Sequence, residues 1–232
     1  MDRQWTVKGR SFAAWGHPEA ADWLVQPLAA GEEGMLEGEY GQITASTGKE
    51  LWLIGLQVAR WREEMSPWSA PPVFGQAPFG SGAKETLAFL LDEGLPSLRA
   101  ACGTVENRRI FLGGYSLAGL FALWAGYQTT VFDGIAAVSP SVWFPGWMKY
   151  IAENTPKAAA FYLSLGDREE KTRNPIMAQV GQNIRAQAQR FTEGAVLSTL
   201  EWNVGNHFAN ADLRTAKGFA WLLKNLSKKS TA

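Results

Sequence analysis

From about residue 50 onward, short apolar runs of strand length alternate with longer segments of helix length. The apolar runs are ELWLIGLQVARW (50–61), RRIFLGG (108–114), FDGIAAVSPSVWF (132–144), AAAFYLSLGD (158–167) and VLSTLEWNVG (196–205). Runs that are apolar throughout are typical of parallel strands covered by helices. The alternation therefore predicts an α/β fold with a mostly parallel central sheet and helices on both faces.

The segments between these runs are predicted to be helices, and the first of them has clear helical spacing. They are residues 83–102, 116–130, 145–154, 174–191 and 210–229. We expect Pro96 to break or kink the first of them, because proline removes a helical hydrogen bond. The last one is amphipathic, with basic residues at its C-terminal end, where the helix dipole favours them. Its apolar positions are Leu213, Phe219, Leu222, Leu223 and Leu226.

The first 50 residues read as short strands and turns. QWTVKGRSFAAW (4–15) is consistent with a strand bent at Gly9, and the glycine-rich, acidic AAGEEGMLEGEYG (29–41) is expected to form turns. Residues 60–82 are rich in proline, glycine and aromatic residues, and loops of that length in compact domains tend to be functional. We expect one domain over residues 1–232, with the 60–82 loop flanking an active site.

Composition narrows the class of protein. The 22 basic and 22 acidic residues balance, so nothing points to a nucleic-acid partner. The one cysteine, Cys102, excludes an intramolecular disulfide and favours a reducing compartment. The charged N-terminus lacks the apolar core of a signal peptide, and no apolar run reaches the roughly 18 residues of a membrane helix. We therefore expect a cytoplasmic protein with no membrane partner.

A serine lies between a strand-like and a helix-like segment in GGYSLAG (113–119). Strand, Gly-x-Ser-x-small, helix is the pattern of the nucleophile elbow, in which a sharp turn projects the serine hydroxyl from the sheet edge. The residues two before and two after Ser116 are Gly114 and Ala118, and Ala118 replaces the glycine of the strict motif. A tight packing turn is the alternative; a phosphate-binding loop would have more glycines and a lysine.

A nucleophilic serine needs a base and an acid, and in this fold they follow it in the order acid, then histidine. The chain has two histidines. His17 precedes the serine, whereas His207 follows the last strand-like run, where the base is expected. Asp167, Glu169 and Glu170 all follow the FYLSLG run and are candidates for the acid. Asp167 is the usual residue type, while the longer side chain of Glu169 compensates for its later position.

Four stretches together resemble a known family: GGYSLAGLFALWA, AAVSPSVWF, YLSLGDREEKTRNP and NHF, in that order. They are similar to the α/β-hydrolase family of esterase D-like enzymes, feruloyl esterases and enterochelin esterases, over roughly residues 50–224. The resemblance implies an α/β-hydrolase fold with Ser116 as nucleophile and His207 as base. It also favours Glu169 as the acid over the alternative, Asp167, because several members carry the acid three residues after a glycine such as Gly166.

With these residues we expect a serine carboxylic-ester hydrolase that works through an acyl-enzyme, with a small-molecule ester as partner and a monomer or homodimer as its state. This mechanism requires no metal and no organic cofactor. The usual His-Gly pair after the central strand is absent. We therefore expect the oxyanion hole to use the backbone N–H of Leu117 and a second N–H between Val58 and Arg60, with Ala59 as the candidate.

Large aromatic residues near the expected cleft suggest the substrate. The predicted pocket residues are Trp61, Trp68, Trp143 and Phe144. Such walls suit an aromatic or siderophore-like ester. Two other functions are compatible with these residues: an acyltransferase that uses the same triad with an alcohol in place of water, and a non-catalytic binding protein that keeps the fold.

Overall fold

The computed structural model describes residues 3–102, 105 and 107–226. In this part of the chain eight strands form one sheet in the order β1-β2-β4-β3-β5-β6-β7-β8. Strands β1 to β8 are Arg3–Val7, Arg10–Gly16, Asp22–Leu28, Trp52–Gln57, Arg109–Tyr115, Gly134–Val138, Ala160–Gly166 and Leu197–Asn203. Strand β2 is antiparallel to both its neighbours, and every pairing from β4 across to β8 is parallel. The prediction of a mostly parallel sheet is confirmed.

Helices cover both faces of this sheet, as predicted. Helices α1 to α8 are Met35–Thr47, Trp61–Glu64, Ala83–Phe89, Leu95–Cys102, Leu117–Gln128, Trp147–Glu153, Val180–Glu193 and Ala211–Asn225. Side chains alternate between the faces along a strand. Phe111 of β5 therefore packs with Phe219 of α8 on one face, while Leu112 packs with Leu120 of α5 on the other. No helix among the described residues has both the length and the apolar character needed to cross a bilayer.

The final helix differs from its prediction at both ends. It spans Ala211–Asn225, and residues 227–229 of the predicted segment lie outside the described residues. Phe219, Leu222 and Leu223 are fully buried as expected, but Leu213 is exposed. The neighbouring Arg214 is buried instead, because the first turn of α8 lies over polar groups at the sheet edge rather than over the apolar core.

The glycine-rich stretch predicted to form turns contains a helix, so that prediction was wrong over residues 35–41. Helix α1 begins at Met35 and ends at a left-handed Gly48. Leu36, Glu39 and Ile43 share one buried face at helical spacing. Glycine lowers helix propensity by roughly 1 kcal/mol, but packing of an apolar face against strands and α8 overrides that preference.

The segment expected to be one bent strand is a hairpin of β1 and β2. Lys8 and Gly9 form its two-residue turn, with φ values of 47° and 82°. Two consecutive positive φ values belong to the tight turn whose twist matches that of paired antiparallel strands. The bend at Gly9 is therefore a complete chain reversal.

The predicted helix over residues 83–102 is continuous but changes its winding. Between α3 and α4 the residues Leu90–Gly94 form a π-helical turn. Pro96 follows as the second residue of α4. The π-helical turn, in which Leu95 N donates to Leu90 O, lies directly before Pro96, so the helix changes its winding there and continues past the proline.

The topology brings several loops to one edge of the sheet. In a parallel sheet the carboxyl ends of the strands share an edge, and ligands bind in the crevices there. Ser116 directly follows β5, Glu169 follows β7 and His207 follows β8. The fold therefore collects residues that are 38 to 91 positions apart in the chain.

Candidate active site

Ser116 occupies a strained turn between β5 and α5. Its φ of 59° and ψ of −119° are far from the regions that non-glycine residues favour. Such a conformation costs on the order of 1–3 kcal/mol and persists only where surrounding contacts enforce it. Here the Ser116 N–H donates to Val138 O at 3.0 Å, and the Ser116 carbonyl accepts from Leu120 N and Ser141 N, each at 3.0 Å.

The turn is sharp enough to require glycine before the serine. A Cβ at Gly114 would lie 2.6 Å from the carbonyl carbon of Ala118, which is closer than real Cβ contacts. Since Gly114 has no side chain, the methyl group of Ala118 fits beside it. The departure from the strict motif at Ala118 is therefore sterically tolerated in this turn.

His207 lies in the loop between β8 and α8, next to the serine. Its Nε2 is 2.9 Å from Ser116 Oγ. The backbone of His207 is held in turn, because Tyr115 Oη donates to its carbonyl oxygen at 2.7 Å. His17, the other histidine, lies after β2 and donates its backbone N–H to Leu51 O at 3.0 Å. It does not line any cavity at the serine.

Glu169 completes the hydrogen-bonded chain. Its Oε2 is 2.7 Å from His207 Nδ1. Its Oε1 accepts from Gly166 N at 2.7 Å and from Ser139 Oγ at 2.8 Å. Burial by itself raises the pKa of this carboxyl, but the hydrogen bond and positive charge of His207 and the two donors to Oε1 outweigh burial and hold the pKa below its ordinary value. Glu169 is therefore ionised when His207 is charged.

The other two carboxylates after β7 have different partners. Asp167 is exposed, and its Oδ1 accepts from the backbone N–H of Gly205 at 2.9 Å. That bond ties the end of β7 to the loop that carries His207. Glu170 pairs with Arg185 at 2.9 Å on the surface. Of the three candidates, the structure brings Glu169 to the imidazole and directs Asp167 toward the histidine loop.

Arg214 lies beneath these residues and was not predicted from the sequence. Its guanidinium is buried and donates to Glu169 Oε1 at 3.2 Å, to Tyr115 Oη at 3.1 Å and to Val204 O at 3.0 Å. It therefore links Glu169 to Tyr115, which holds the His207 carbonyl oxygen, and to Val204 at the start of the loop that carries His207. The sequence feature that could have indicated Arg214 is a basic residue in the first turn of an otherwise apolar helix face. That position is common for surface arginines, so the signal did not stand out.

Three cavities meet at His207. The largest, about 430 Å³, is named the aromatic cavity; Ser116 and Leu117 form its floor and its walls include Trp61, Phe74, Phe79, Trp143 and Met177. A second, about 330 Å³, is named the α1 cavity and includes Gln26, Ala29, Glu32, Glu39, Ser116 and Thr215. The third, about 310 Å³, lies beside Glu169, Arg168 and Lys171.

Two of the four predicted pocket residues line the aromatic cavity and two do not. Trp61 and Trp143 form part of its wall. Phe144 is buried behind that wall against Phe79, with ring centroids 5.1 Å apart. Trp68 packs on Phe144 and donates its indole N–H to Pro145 O at 2.8 Å. Phe144 and Trp68 therefore support the wall from behind, which is the usual place for large aromatic residues.

The 60–82 segment contributes Trp61, Phe74 and Phe79 to the cavity and is held together by Arg62. The Arg62 guanidinium lies 4.3 Å from the centre of the Phe74 ring. It also donates to the carbonyl oxygens of Phe74 and Ala77. Arg62 thereby fixes the irregular part of this loop against its first helical turn.

A comparison with solved structures finds the same architecture over nearly the whole chain. The chain is similar to an IroE-like serine hydrolase from Shewanella oneidensis (TM-score 0.76, 15% identity, covering 97% of this chain and 80% of that one). It is similar to the siderophore hydrolase EstA from Aspergillus nidulans (TM-score 0.74, 17% identity, covering 98% of this chain and 95% of that one). The chain has the α/β-hydrolase fold. It is also similar to the enterobactin esterase FES from Shigella flexneri (TM-score 0.66, 15% identity, covering 97% of this chain and 59% of that one).

No family profile and no curated protein matches this α/β-hydrolase-fold sequence. The similarity to solved structures therefore shows the fold, and confirms at that level the resemblance found in the sequence. The fold by itself does not define the function of the site.

In the α/β-hydrolase fold the oxyanion hole uses the N–H after the nucleophile and an N–H from the loop after the third strand. Leu117 begins α5, and its N–H has no acceptor among the described residues. The predicted second donor, Ala59, follows β4. The sheet order contradicts the basis of that prediction, because β3 lies between β4 and β5.

The loop after β3 lines a cavity together with the serine. Ala29 lines the α1 cavity together with Ser116, whereas Ala59 does not. The loop after β4 supports this one from outside, since Val58 N donates to Leu28 O at 2.9 Å. In the described structure the Ala29 N–H donates to Glu32 Oε2 at 2.8 Å. Ala29 and Ala30 therefore join Ala59 as candidates for the second donor.

Proposed function

We propose that the protein is a serine carboxylic-ester hydrolase with Ser116, His207 and Glu169 as its triad. The observation that carries the proposal is the continuous hydrogen-bonded chain from Ser116 Oγ through the imidazole to Glu169 Oε2, with distances of 2.9 and 2.7 Å. A binding protein has no use for a serine held at a strained φ with a base and a buried carboxylate aligned behind it.

The mechanism follows from the donors and acceptors of that chain. With Nδ1–H donating to Glu169, Nε2 of His207 is free to take the proton of Ser116 Oγ as the oxygen attacks the ester carbonyl. The imidazolium then gives this proton to the leaving alcohol, and an acyl-enzyme remains. Water, activated by the same Nε2, attacks the acyl carbon, releases the acid and restores Ser116.

Two backbone N–H groups stabilise the tetrahedral oxyanion in this proposal. The Leu117 N–H is one, and the α5 dipole adds to its effect. An N–H of Ala29, Ala30 or Ala59 is the other. The loss of one such donor typically costs about 3–4 kcal/mol of transition-state stabilisation.

We further propose that the substrate has an aromatic or broadly apolar group on one side of the ester. The support is the aromatic cavity, whose walls include Trp61, Phe74 and Trp143 beside Ser116. Similar solved structures are named as siderophore hydrolases, and one was determined with a dihydroxybenzoyl compound. An aryl or siderophore-like ester is therefore the substrate class to test first.

The test combines covalent labelling with turnover. A fluorophosphonate probe should label the wild-type protein and not Ser116→Ala, and p-nitrophenyl acetate and butyrate should be hydrolysed by the wild type. Ser116→Ala and His207→Ala should each lower kcat by at least about 10³-fold. His17→Ala is the matched control and should retain wild-type turnover.

If the wild type is neither labelled nor active on any aryl ester, the hydrolase proposal fails. An acyltransferase would be labelled as well. It would be recognised by transesterified product formed in preference to free acid when an alcohol acceptor is added.

A further inference from the structure

The lining of the α1 cavity includes polar groups that the triad does not use. Gln26 of β3 and Glu39 of α1 line it together with Ser116 and His207. Ser116 and His207 also line the aromatic cavity. An ester whose carbonyl carbon lies at Ser116 therefore has room for one substituent in the aromatic cavity and for the other in the α1 cavity, which Gln26 and Glu39 line.

The Glu39 carboxyl group is buried, and only one of its two oxygens is hydrogen-bonded to another residue of the described chain. Gln26 Nε2 donates to its Oε2. Within the described chain no protein group is hydrogen-bonded to its Oε1, and Oε1 is not one of the fully enclosed unpaired side-chain atoms, so it is open to the cavity. Burial raises the pKa of Glu39 to about 8; the hydrogen bond from Gln26 opposes this rise, and the nearby charges of Asp212 and Glu32 add to it. This pKa favours the protonated carboxyl at pH 7, and because Oε2 accepts from Gln26, Oε1 is the oxygen that carries the proton in this form.

The surroundings of Glu39 determine what it can bind. The titratable groups that face it are Glu32 before α1, Asp212 in α8, and Tyr115 and His207 across the cavity. The two carboxylates disfavour an anionic ligand group. A hydroxyl-type donor that faces a cavity and has no acceptor in the protein favours an uncharged oxygen that reaches Oε1.

We propose that Glu39 is a specificity-determining residue that donates a hydrogen bond to an uncharged oxygen of the substrate, such as an ether, hydroxyl or amide oxygen. This proposal rests on the proposed ester hydrolase activity. It defines a substrate with two unlike sides: an apolar or aryl group on one side of the ester and an uncharged, oxygen-bearing chain on the other.

Two pairs of esters test the proposal, one pair for each orientation of the ester in the site. The two esters within a pair are equal in size. p-Nitrophenyl methoxyacetate and p-nitrophenyl butyrate place the ether oxygen on the acyl side. 2-Methoxyethyl benzoate and n-butyl benzoate place it on the alcohol side. The measured quantity is the ratio of kcat/KM for the ether ester to that for its hydrocarbon partner. Intrinsic reactivity and any general loss of structure cancel when this ratio is compared between variants.

Glu39→Leu should lower the ratio about tenfold for at least one pair, because it removes one hydrogen bond. Glu39→Gln should keep the ratio within about threefold, since its amide N–H also donates. Glu37→Leu, on the exposed side of the same helix, is the matched control and should leave the ratio unchanged.

A measurement on the wild type avoids any folding defect of Glu39→Leu. The ratio should fall as the pH rises through about 8, where Glu39 loses its proton, and it should stay flat in Glu39→Gln. If neither the substitution nor the pH changes either ratio while the esters are hydrolysed, this proposal is overturned and the hydrolase function stands. If the wild type hydrolyses none of the four esters, the hydrolase function itself fails.

Discussion

At the scale of single residues, the acid of the triad is distinguished by its contacts. Glu169 touches the imidazole, whereas Asp167 holds the backbone of Gly205. We expect Glu169→Gln to lower kcat by about 10³-fold or more, because a neutral amide neither stabilises the imidazolium nor enforces the productive tautomer. Steady-state hydrolysis of p-nitrophenyl butyrate measures this effect.

Asp167→Asn is the matched substitution for that prediction. It keeps an oxygen that accepts from the Gly205 N–H, so we expect kcat within about threefold of the wild type. The reverse result, a large loss in Asp167→Asn and a small one in Glu169→Gln, would contradict the assignment of Glu169.

Arg214 and Arg185 each pair with a glutamate, but in different surroundings. The Arg214–Glu169 pair is buried, and the Arg185–Glu170 pair is at the surface. Arg214→Met leaves a buried carboxylate short of one donor and should lower the free energy of unfolding by about 3 kcal/mol. Arg185→Met should change it by less than about 1 kcal/mol.

Urea denaturation followed by tryptophan fluorescence measures both changes. Equal effects for Arg214→Met and Arg185→Met would show that the buried arginine does not hold the site together.

The triad residues could be predicted from the sequence, whereas the residues that hold them in position could not. With only two histidines and a fixed order of nucleophile, acid and base, Ser116 and His207 could be selected. The choice between Glu169 and Asp167 depends on how the chain turns after β7, which the residues alone do not specify. Arg214 and Tyr115 act through contacts nearly 100 positions apart, and no local pattern predicts such contacts.

At the scale of elements, the 60–82 segment should determine how well aryl groups bind. Arg62→Met removes the bonds to the Phe74 and Ala77 carbonyls and the stacking on Phe74. The aromatic wall should loosen while the triad keeps its geometry. We expect KM for p-nitrophenyl butyrate to rise about threefold to tenfold with kcat nearly unchanged.

Arg60→Met is the control for this change, because Arg60 is exposed and its nearest carboxylate oxygen, on Glu64, is 3.8 Å away. Its kinetic constants should match those of the wild type. A drop in kcat with unchanged KM in Arg62→Met would place the role of this loop in the chemical step instead.

Elements with strong patterns were predictable, and elements decided by packing were not. The apolar strands followed from continuous apolar runs, and helices α5 and α7 from the segments of helix length that follow such runs. Helix α1 was missed because its glycines suggest turns, while its helicity depends on burial of Leu36 and Ile43. The second oxyanion donor was sought after β4 because chain order alone does not show that β3 enters the sheet beside β5.

At the scale of the whole molecule, Glu39 couples stability to pH. Its folded pKa of about 8 lies above the ordinary value of 4.5, so between these values the folded state holds a proton that the unfolded chain has released. The contribution of Glu39 is complete below pH 4.5, declines as pH rises, and is lost above about pH 8. The free energy of unfolding should therefore fall over this window by on the order of 5 kcal/mol.

Comparison with Glu39→Gln isolates this effect, because every other titrating group is common to both proteins. The difference in unfolding free energy between the two should change steadily from pH 5 to pH 8. A difference that is constant over this range would mean that Glu39 ionises normally in the folded protein.

The architecture as a whole was the most predictable level. Alternating strand and helix patterns leave few arrangements besides a parallel sheet covered on both faces. The antiparallel hairpin of β1 and β2 that extends the sheet was not predicted, because a turn of Lys8 and Gly9 resembles a bend within one strand.

The strained backbone at Ser116 has a consequence for engineering and for evolution. Glycine adopts a positive φ without penalty, so Ser116→Gly should yield an inactive protein that melts at a higher temperature than the active one. Selection for thermal resistance alone would then favour loss of the nucleophile. Any directed-evolution campaign on this scaffold must therefore score turnover in the same round as heat tolerance, or it will enrich for well-folded but inert sequences.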